Sequence, residues 1–114
     1  MTPVRGVAVL GSTGSIGKST LAVIAEHPDR FRVTSLGAHR NWQTVVEQAK
    51  TFEPDTVVLV DADAAERARI ALRESGSRSK VESGAAALAA AVADSGVQIV
   101  MAAIVGAAGL LPTL

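Results

Sequence analysis

Apolar residues along this chain fall into short unbroken runs, and between the runs they recur every three or four positions. That is the pattern of buried strands alternating with one-sided helices. Val7-Ala8-Val9-Leu10, stopped by Gly11, is the first run and predicts a strand covered on both faces. From Ile16 onward, Ile16, Thr20, Val23, Ile24 and His27 share one helical face until Pro28 and Asp29 end the segment, which predicts a first helix and its core-facing side. Phe31 to Leu36 predicts the second strand, ending at Gly37. Trp42, Val45, Val46, Ala49 and Phe52 form the apolar stripe of a second helix, with Asn41 as its N-cap and Pro54 just past its end.

Thr56 to Val60, almost all β-branched, predicts a third strand. Asp61 or Asp63 caps the helix that follows to about Glu74, and Ser75-Gly76-Ser77 stops it. Val81 marks a short edge strand, Ala85 to Ala93 a fourth helix stopped by Ser95-Gly96, and Val97 to Ala102 a further buried strand. Strands alternating with helices in this way call for right-handed crossovers, so the expected fold class is α/β, a Rossmann-like doubly wound parallel sheet in a single domain. Ala107 to Leu114 reads as the opening of another helix whose apolar side chains find no partners in the sequence. The expectation is therefore an N-terminal piece of a longer protein.

Composition narrows the functions open to such a fold. With 114 residues, one core is affordable and a second substrate domain is not. Eleven basic residues balance eleven acidic ones, so no global field holds a nucleic-acid backbone or an anionic membrane. Neither nucleic acid nor membrane is an expected partner. Met1 to Val9 has the features of neither a signal peptide nor a transit peptide. No apolar run reaches the ~20 residues that span a bilayer, the stretch from Val97 being broken by Gly106, Gly109 and Pro112. Cysteine is absent, which removes disulfides, thiolate catalysis and cysteine metal sites and makes a cytoplasmic location the expectation. Phe31, Trp42 and Phe52 are the only aromatic residues, too few for a base-stacking platform, whereas twenty-one Ala and fifteen Val suit thin helices lying close on a parallel sheet.

The chemistry sits in Gly11-Ser12-Thr13-Gly14-Ser15-Ile16-Gly17, a glycine pattern between a predicted strand and a predicted helix. In that context Gly11 permits the tight turn, Gly14 lets the backbone approach a pyrophosphate, and Gly17 lets the helix pack on the sheet. The N–H groups of the helix start, with the Thr13 and Ser15 hydroxyls, would hold the phosphates at the positive end of the helix dipole. A rival reading uses the same residues, because Gly17-Lys18-Ser19 matches the end of a phosphate-binding P-loop and Val57 to Asp61 resembles its magnesium-holding strand. The first glycine of that loop falls on Ser12, so nucleoside triphosphate binding ranks below dinucleotide binding. A glycine turn that serves only folding is the third alternative.

The end of the second strand selects among dinucleotides. An NAD site usually carries a carboxylate about 20 residues beyond the loop, for the ribose 2′-OH. Here the tip is Gly37-Ala38-His39-Arg40-Asn41, with no carboxylate. Arg40 can pair with a 2′-phosphate, His39 can flank it and Asn41 can add a donor, which favours NADPH over NADH. Taken singly, a solvated surface residue is the commoner role for Arg40 and a helix cap the commoner role for Asn41.

Gly11 to Gly17 as GSTGSIG, Ala38 to Asn41 before the second helix, and Met101 to Leu110 as MAAIVGAAGL together resemble the 1-deoxy-D-xylulose 5-phosphate reductoisomerase family, over the whole chain, as its N-terminal NADPH-binding domain. The resemblance implies an NADPH-dependent enzyme that rearranges and reduces deoxyxylulose phosphate to methylerythritol phosphate, supplying isoprenoid precursors. By position it assigns Thr13, Gly14, Ser15 and Ile16 to the pyrophosphate and His39, Arg40 and Asn41 to the 2′-phosphate end. Ala102, Ala103, Ile104 and Gly106 are assigned to the nicotinamide. It further implies a divalent metal, Mg or Mn, and a sugar phosphate substrate held in the full-length enzyme, which would be a homodimer, whereas this chain alone is expected to be inactive and plausibly monomeric. No catalytic or metal-binding residue is assigned within the chain; Glu47, Glu53, Asp61, Asp63, Glu66 and Glu74 read as helix faces and caps.

Overall fold

The computed structural model describes residues 4–94 and 96–102. Five strands alternate with four helices in the order β1 (Arg5–Leu10), α1 (Ser15–Glu26), β2 (Phe31–Ala38), α2 (Trp42–Phe52), β3 (Thr56–Leu59), α3 (Ala62–Glu74), β4 (Lys80–Ser83), α4 (Ala85–Ala93) and β5 (Ile99–Ala102). All strand pairs are parallel, in the spatial order β4-β3-β2-β1-β5. The chain thus steps one way from β1 to β4 and then crosses to the far side of β1, which makes the β1/β5 boundary the point where strand order reverses.

One face of the sheet carries the core. Val7 and Val9 of β1, Val33 and Leu36 of β2, and Val57 and Leu59 of β3 cluster with Leu21 and Ile24 of α1, Val45, Val46 and Ala49 of α2, and Ala64, Ala68 and Leu72 of α3. The alanines of α3 leave no side-chain spacer between helix and sheet, as a parallel sheet crossed by closely packed helices requires. The opposite face belongs to α4: a Cβ added at Gly37 would meet the Leu88 side chain at 2.6 Å. Helices on both faces make the sheet doubly wound, as expected. Between Val7 and Ala8 the β1–β2 register slips past Thr34, a bulge that sets Gly37 opposite Leu10 at the end of β1.

Three expectations need correction. The buried face of α1 is Gly17, Leu21 and Ile24, whereas Ile16 and Val23 are each 54% exposed. The physical reason is Gly17, whose missing side chain lets the helix seat on that side. The last strand is shorter than Val97 to Ala102 and is not buried: Val100 and Met101 are exposed, because β5 is an edge strand whose one partner among the described residues is β1. β2 also runs two residues further than the run of apolar side chains predicts, taking Gly37 and Ala38 out of the tip and into the sheet.

Candidate functional site

The loop after β1 is built by backbone constraints that can be read residue by residue. Gly11 has φ 74°, a left-handed conformation that side chains rarely adopt. Its N–H and that of Ser12 both donate to the Gly37 carbonyl, at 2.7 and 3.0 Å, and the Gly14 N–H donates back to the Gly11 carbonyl at 3.2 Å. Gly17 is buried on the sheet side of α1, where a Cβ would overlap the Gly11 carbonyl oxygen and lie 2.7 Å from the Ser12 Cα. Both obstacles are backbone and neither can swing aside.

Gly14 differs from the other two. It has an extended conformation open to any residue, and a Cβ there would meet only the Gly11 carbonyl oxygen at 3.7 Å, an ordinary contact. Neither conformation nor packing demands glycine here, and its bare backbone leaves the helix start open to the approach of a ligand. Gly14 is also the N-cap of α1, so no side chain caps the helix, and its first turn carries no acidic residue. The N–H groups of Ser15, Ile16 and Gly17 have no acceptor within the helix. They converge with the positive end of the helix dipole, the usual elements of an anion site.

This helix start opens into a pocket of about 660 Å³ at the carboxyl ends of β1, β2 and β3, walled by Thr13, Ile16, Ala38, His39, Val60 and Leu88. That volume is in the range of small-ligand sites. Val60 and Leu88 were not among the residues expected from sequence. Val60 had a signal, as the last apolar residue of the third run, where ligands of parallel sheets lie. Leu88 had none, since only the fold brings α4 over Gly37.

His39 and Arg40 are exposed just past β2, beside that pocket. His39 needs no left-handed backbone, Glu53 being the one non-glycine residue with positive φ among those described. Its carbonyl accepts the Asp61 N–H at 3.0 Å, which pins the tip to the end of β3. Asn41 does cap α2, its Oδ1 accepting the Thr44 N–H at 3.3 Å, while its amide N–H groups remain available as donors. Ala102 ends β5 opposite Leu10, next to the glycine loop and exposed. Ala103, Ile104 and Gly106 lie outside the described residues.

The carboxylates are surface groups. Glu47 pairs with Lys50 at 3.4 Å, Asp63 with Arg67 at 3.2 Å, and Glu66 with Arg69. Asp55 pairs with Arg32 at 2.9 Å, and this hydrogen bond holds the Asp55 carboxyl below its usual range. Among the described residues no group of His, Cys, Asp or Glu is arranged to hold a metal ion. Asp61, the residue that would hold magnesium in a P-loop protein, instead caps α3, its Oδ2 accepting the Ala64 N–H at 2.9 Å. A larger cavity, about 730 Å³, opens at the opposite end of the sheet among Lys50, Pro54, Ser77, Arg78 and Lys80. It lies where α2 and α3 end, Lys50 is in the last turn of α2, and Glu53 and Asp55 line it beside the cations, so its positive charge is partly offset by carboxylates and a negative helix end.

A family model described as 1-deoxy-D-xylulose 5-phosphate reductoisomerase matches residues 7–114. The chain belongs to the 1-deoxy-D-xylulose 5-phosphate reductoisomerase family. A reductoisomerase of that name from Paraburkholderia xenovorans (strain LB400) is 52% identical over 110 residues, covering 96% of this chain and 27% of the relative. One from Nitrosomonas eutropha is 47% identical over 114 residues, 100% of this chain and 28% of the relative. Among solved structures, DOX-P reductoisomerase in complex with magnesium is 35% identical with a TM-score of 0.87, over 95% of this chain and 27% of that one. The 1-deoxy-D-xylulose 5-phosphate reductoisomerase from Zymomonas mobilis in complex with NADPH is 41% identical with a TM-score of 0.83, over 96% and 28%. The chain thus spans just over a quarter of the length of the relatives it matches. Membership of the reductoisomerase family leaves the P-loop reading without support. Among the described residues no helix is long and apolar enough to cross a membrane.

Proposed function

We propose that residues 1–114 form the NADPH-binding domain of a cytoplasmic enzyme that converts 1-deoxy-D-xylulose 5-phosphate to 2-C-methyl-D-erythritol 4-phosphate. The observation that carries this reading is Gly14, a glycine required by neither backbone nor packing, at the uncapped start of α1. In this reading the N–H groups of Ser15, Ile16 and Gly17, with the Thr13 and Ser15 hydroxyls, bind the pyrophosphate. Ile16, Val60 and Leu88 supply apolar walls against which a purine excludes water. Arg40, flanked by His39 and Asn41, binds the 2′-phosphate, and the tip offers no carboxylate to a free 2′-OH.

NADPH, when bound, supplies the hydride of the reduction. The chain's part is to hold and orient it: the end of β5 at Ala102, one strand from the glycine loop, is small-residue backbone that a flat ring can approach. The neighbouring residues Ala103, Ile104 and Gly106 belong to the same assignment. The sugar phosphate and a divalent metal fall to other parts of a full-length enzyme, the metal and the cofactor being supported by the magnesium and NADPH complexes solved for relatives, and a homodimer is the proposed assembly. Arg40→Ala tests the assignment: NADPH affinity should drop by about 1 to 3 kcal/mol while NADH affinity holds, the loss of one charge-assisted pair. An equal loss for both cofactors would remove Arg40 from the 2′-phosphate.

A further inference from the structure

The glycine loop is held from below as well as from within, and one of its restraints comes from a side chain that none of the roles above uses. Gln48 sits on the inner face of α2, partly buried, and its Nε2 donates to the Ser12 carbonyl at 2.8 Å, across 36 positions of sequence. Ser12 is fully buried, and its own N–H is committed to the Gly37 carbonyl. Among the described residues the buried Gln48 Oε1 has no hydrogen-bond partner, so the Nε2 bond to Ser12 is what offsets the burial of the amide. A leucine or methionine would fill the same space without that cost, which makes the bond to Ser12 the reason for a polar residue here.

We propose that Gln48 is a positioning residue for cofactor binding, which sets the Thr13–Gly14–Ser15 backbone through the Ser12 carbonyl. Peptide geometry makes this direct. The Ser12 carbonyl and the Thr13 N–H belong to one planar unit, so fixing the oxygen fixes the direction of the N–H at the mouth of the pocket. Flanking glycines make the restraint matter, because Gly11 and Gly14 are the most freely rotating residues in the loop. Gln48 lies on the helix that Asn41 caps, so the same bond locks the His39-Arg40-Asn41 tip to the loop and fixes the span between the two phosphate-binding ends. This inference rests on the cofactor reading above.

The test uses the 114-residue chain, NADP⁺ and NAD⁺, with affinity and thermal unfolding measured on each protein. Gln48→Met should weaken both nucleotides alike, about five- to tenfold, the worth of one hydrogen bond, with a melting temperature close to that of the parent. Arg40→Ala, by contrast, should spare NAD⁺. In Gln48→Glu the ionised carboxylate faces the Ser12 carbonyl and cannot donate, whereas its protonated form can. The ratio of parent to variant affinity should therefore be large at pH 8 and fall toward one as the introduced carboxyl protonates, while the unchanged protein corrects for titration of the nucleotide phosphates. Equal affinity of parent and Gln48→Met overturns the inference alone. Loss of fold in both variants, or a Gln48→Glu ratio that ignores pH, also overturns it in favour of a purely structural bond. A folded parent that binds neither nucleotide overturns the cofactor reading and this inference together.

Discussion

The two ends of the sheet carry cavities of similar size and opposite character. At the carboxyl ends of the strands, about 660 Å³ is lined by glycine backbone and apolar side chains, with cationic Arg40 exposed nearby on the tip. At the other end, about 730 Å³ is lined by Lys50, Arg78 and Lys80 among serines. Counting charges would choose the second as the phosphate site. Helix direction favours the first, because the N–H groups at the start of α1 have no acceptor within the helix, whereas Glu53 and Asp55 line the second beside its cations and Lys50 answers the negative end of α2. The direction of the backbone outweighs the number of basic side chains.

Substitutions sharpen this contrast in descending order of effect. Gly17→Ala should be the most damaging, about 1 to 3 kcal/mol or more in denaturant unfolding, since its Cβ meets backbone that cannot move without opening the loop. Next, Gly14→Val should leave stability within about 1 kcal/mol of the parent and still weaken NADPH binding by tenfold or more, because the added Cβ makes only an ordinary contact in the fold and the branched side chain would crowd a pyrophosphate. A Gly14→Val protein that bound NADPH normally would remove the loop from the site. Lys50→Ala with Arg78→Ala, in the larger cavity, should leave NADPH affinity unchanged, and Lys18→Ala should be mild.

The smallest effect concerns the Arg32–Asp55 pair. Hydrogen bonding to Arg32 lowers the Asp55 carboxyl in the folded state, so the pair's contribution is present above the ordinary carboxylate range and is lost as pH falls through the lowered folded value. Both side chains are about half exposed, at 49% and 57%, so screening limits the contribution to a few tenths of a kcal/mol. Arg32→Ala should flatten the acid limb of the stability curve by that amount, leaving NADPH binding as it was.

Much of this architecture was legible in the sequence, for reasons that particular elements make plain. Asn41, Asp61, Pro54 and Gly76 mark helix ends by local chemistry, and α2 and α3 begin and end where those residues predict. Burial is another matter, because it depends on neighbours. α3 is polar in composition, yet it buries Ala64, Ala65, Ala68 and Leu72 on one stripe, whereas α4, almost all alanine, has no fully buried residue. The apolar run of β5 reads as a buried strand, but at the sheet edge its side chains are exposed. On α1, hydrophobic periodicity counts Ile16 and Val23 as core, whereas the glycine pattern, through Gly17, marks the side that packs on the sheet.

The site divides in the same way. Gly11 and Gly17 were legible because each performs a backbone task that residue type alone encodes, a left-handed turn and a close helix contact, while the ligand approach assigned to Gly14 belongs to the proposal. The tip is proposed for the 2′-phosphate because it carries Arg40 and no carboxylate. Leu88 and Gln48 were not legible, since each reaches the site only through contacts distant in sequence, one across the sheet face and one from α2 to the Ser12 carbonyl.

The central claim is that the α1 start and the His39-Arg40-Asn41 tip form one NADPH site, and calorimetric titration of the 114-residue chain tests it most directly. NADPH, NADH and Mg·ATP would be titrated in one buffer at moderate salt. The account predicts heat of binding with NADPH, about tenfold or more weaker binding of NADH for want of the 2′-phosphate pair, and none with Mg·ATP. NADH bound as tightly as NADPH, or a folded chain that prefers Mg·ATP, would contradict it.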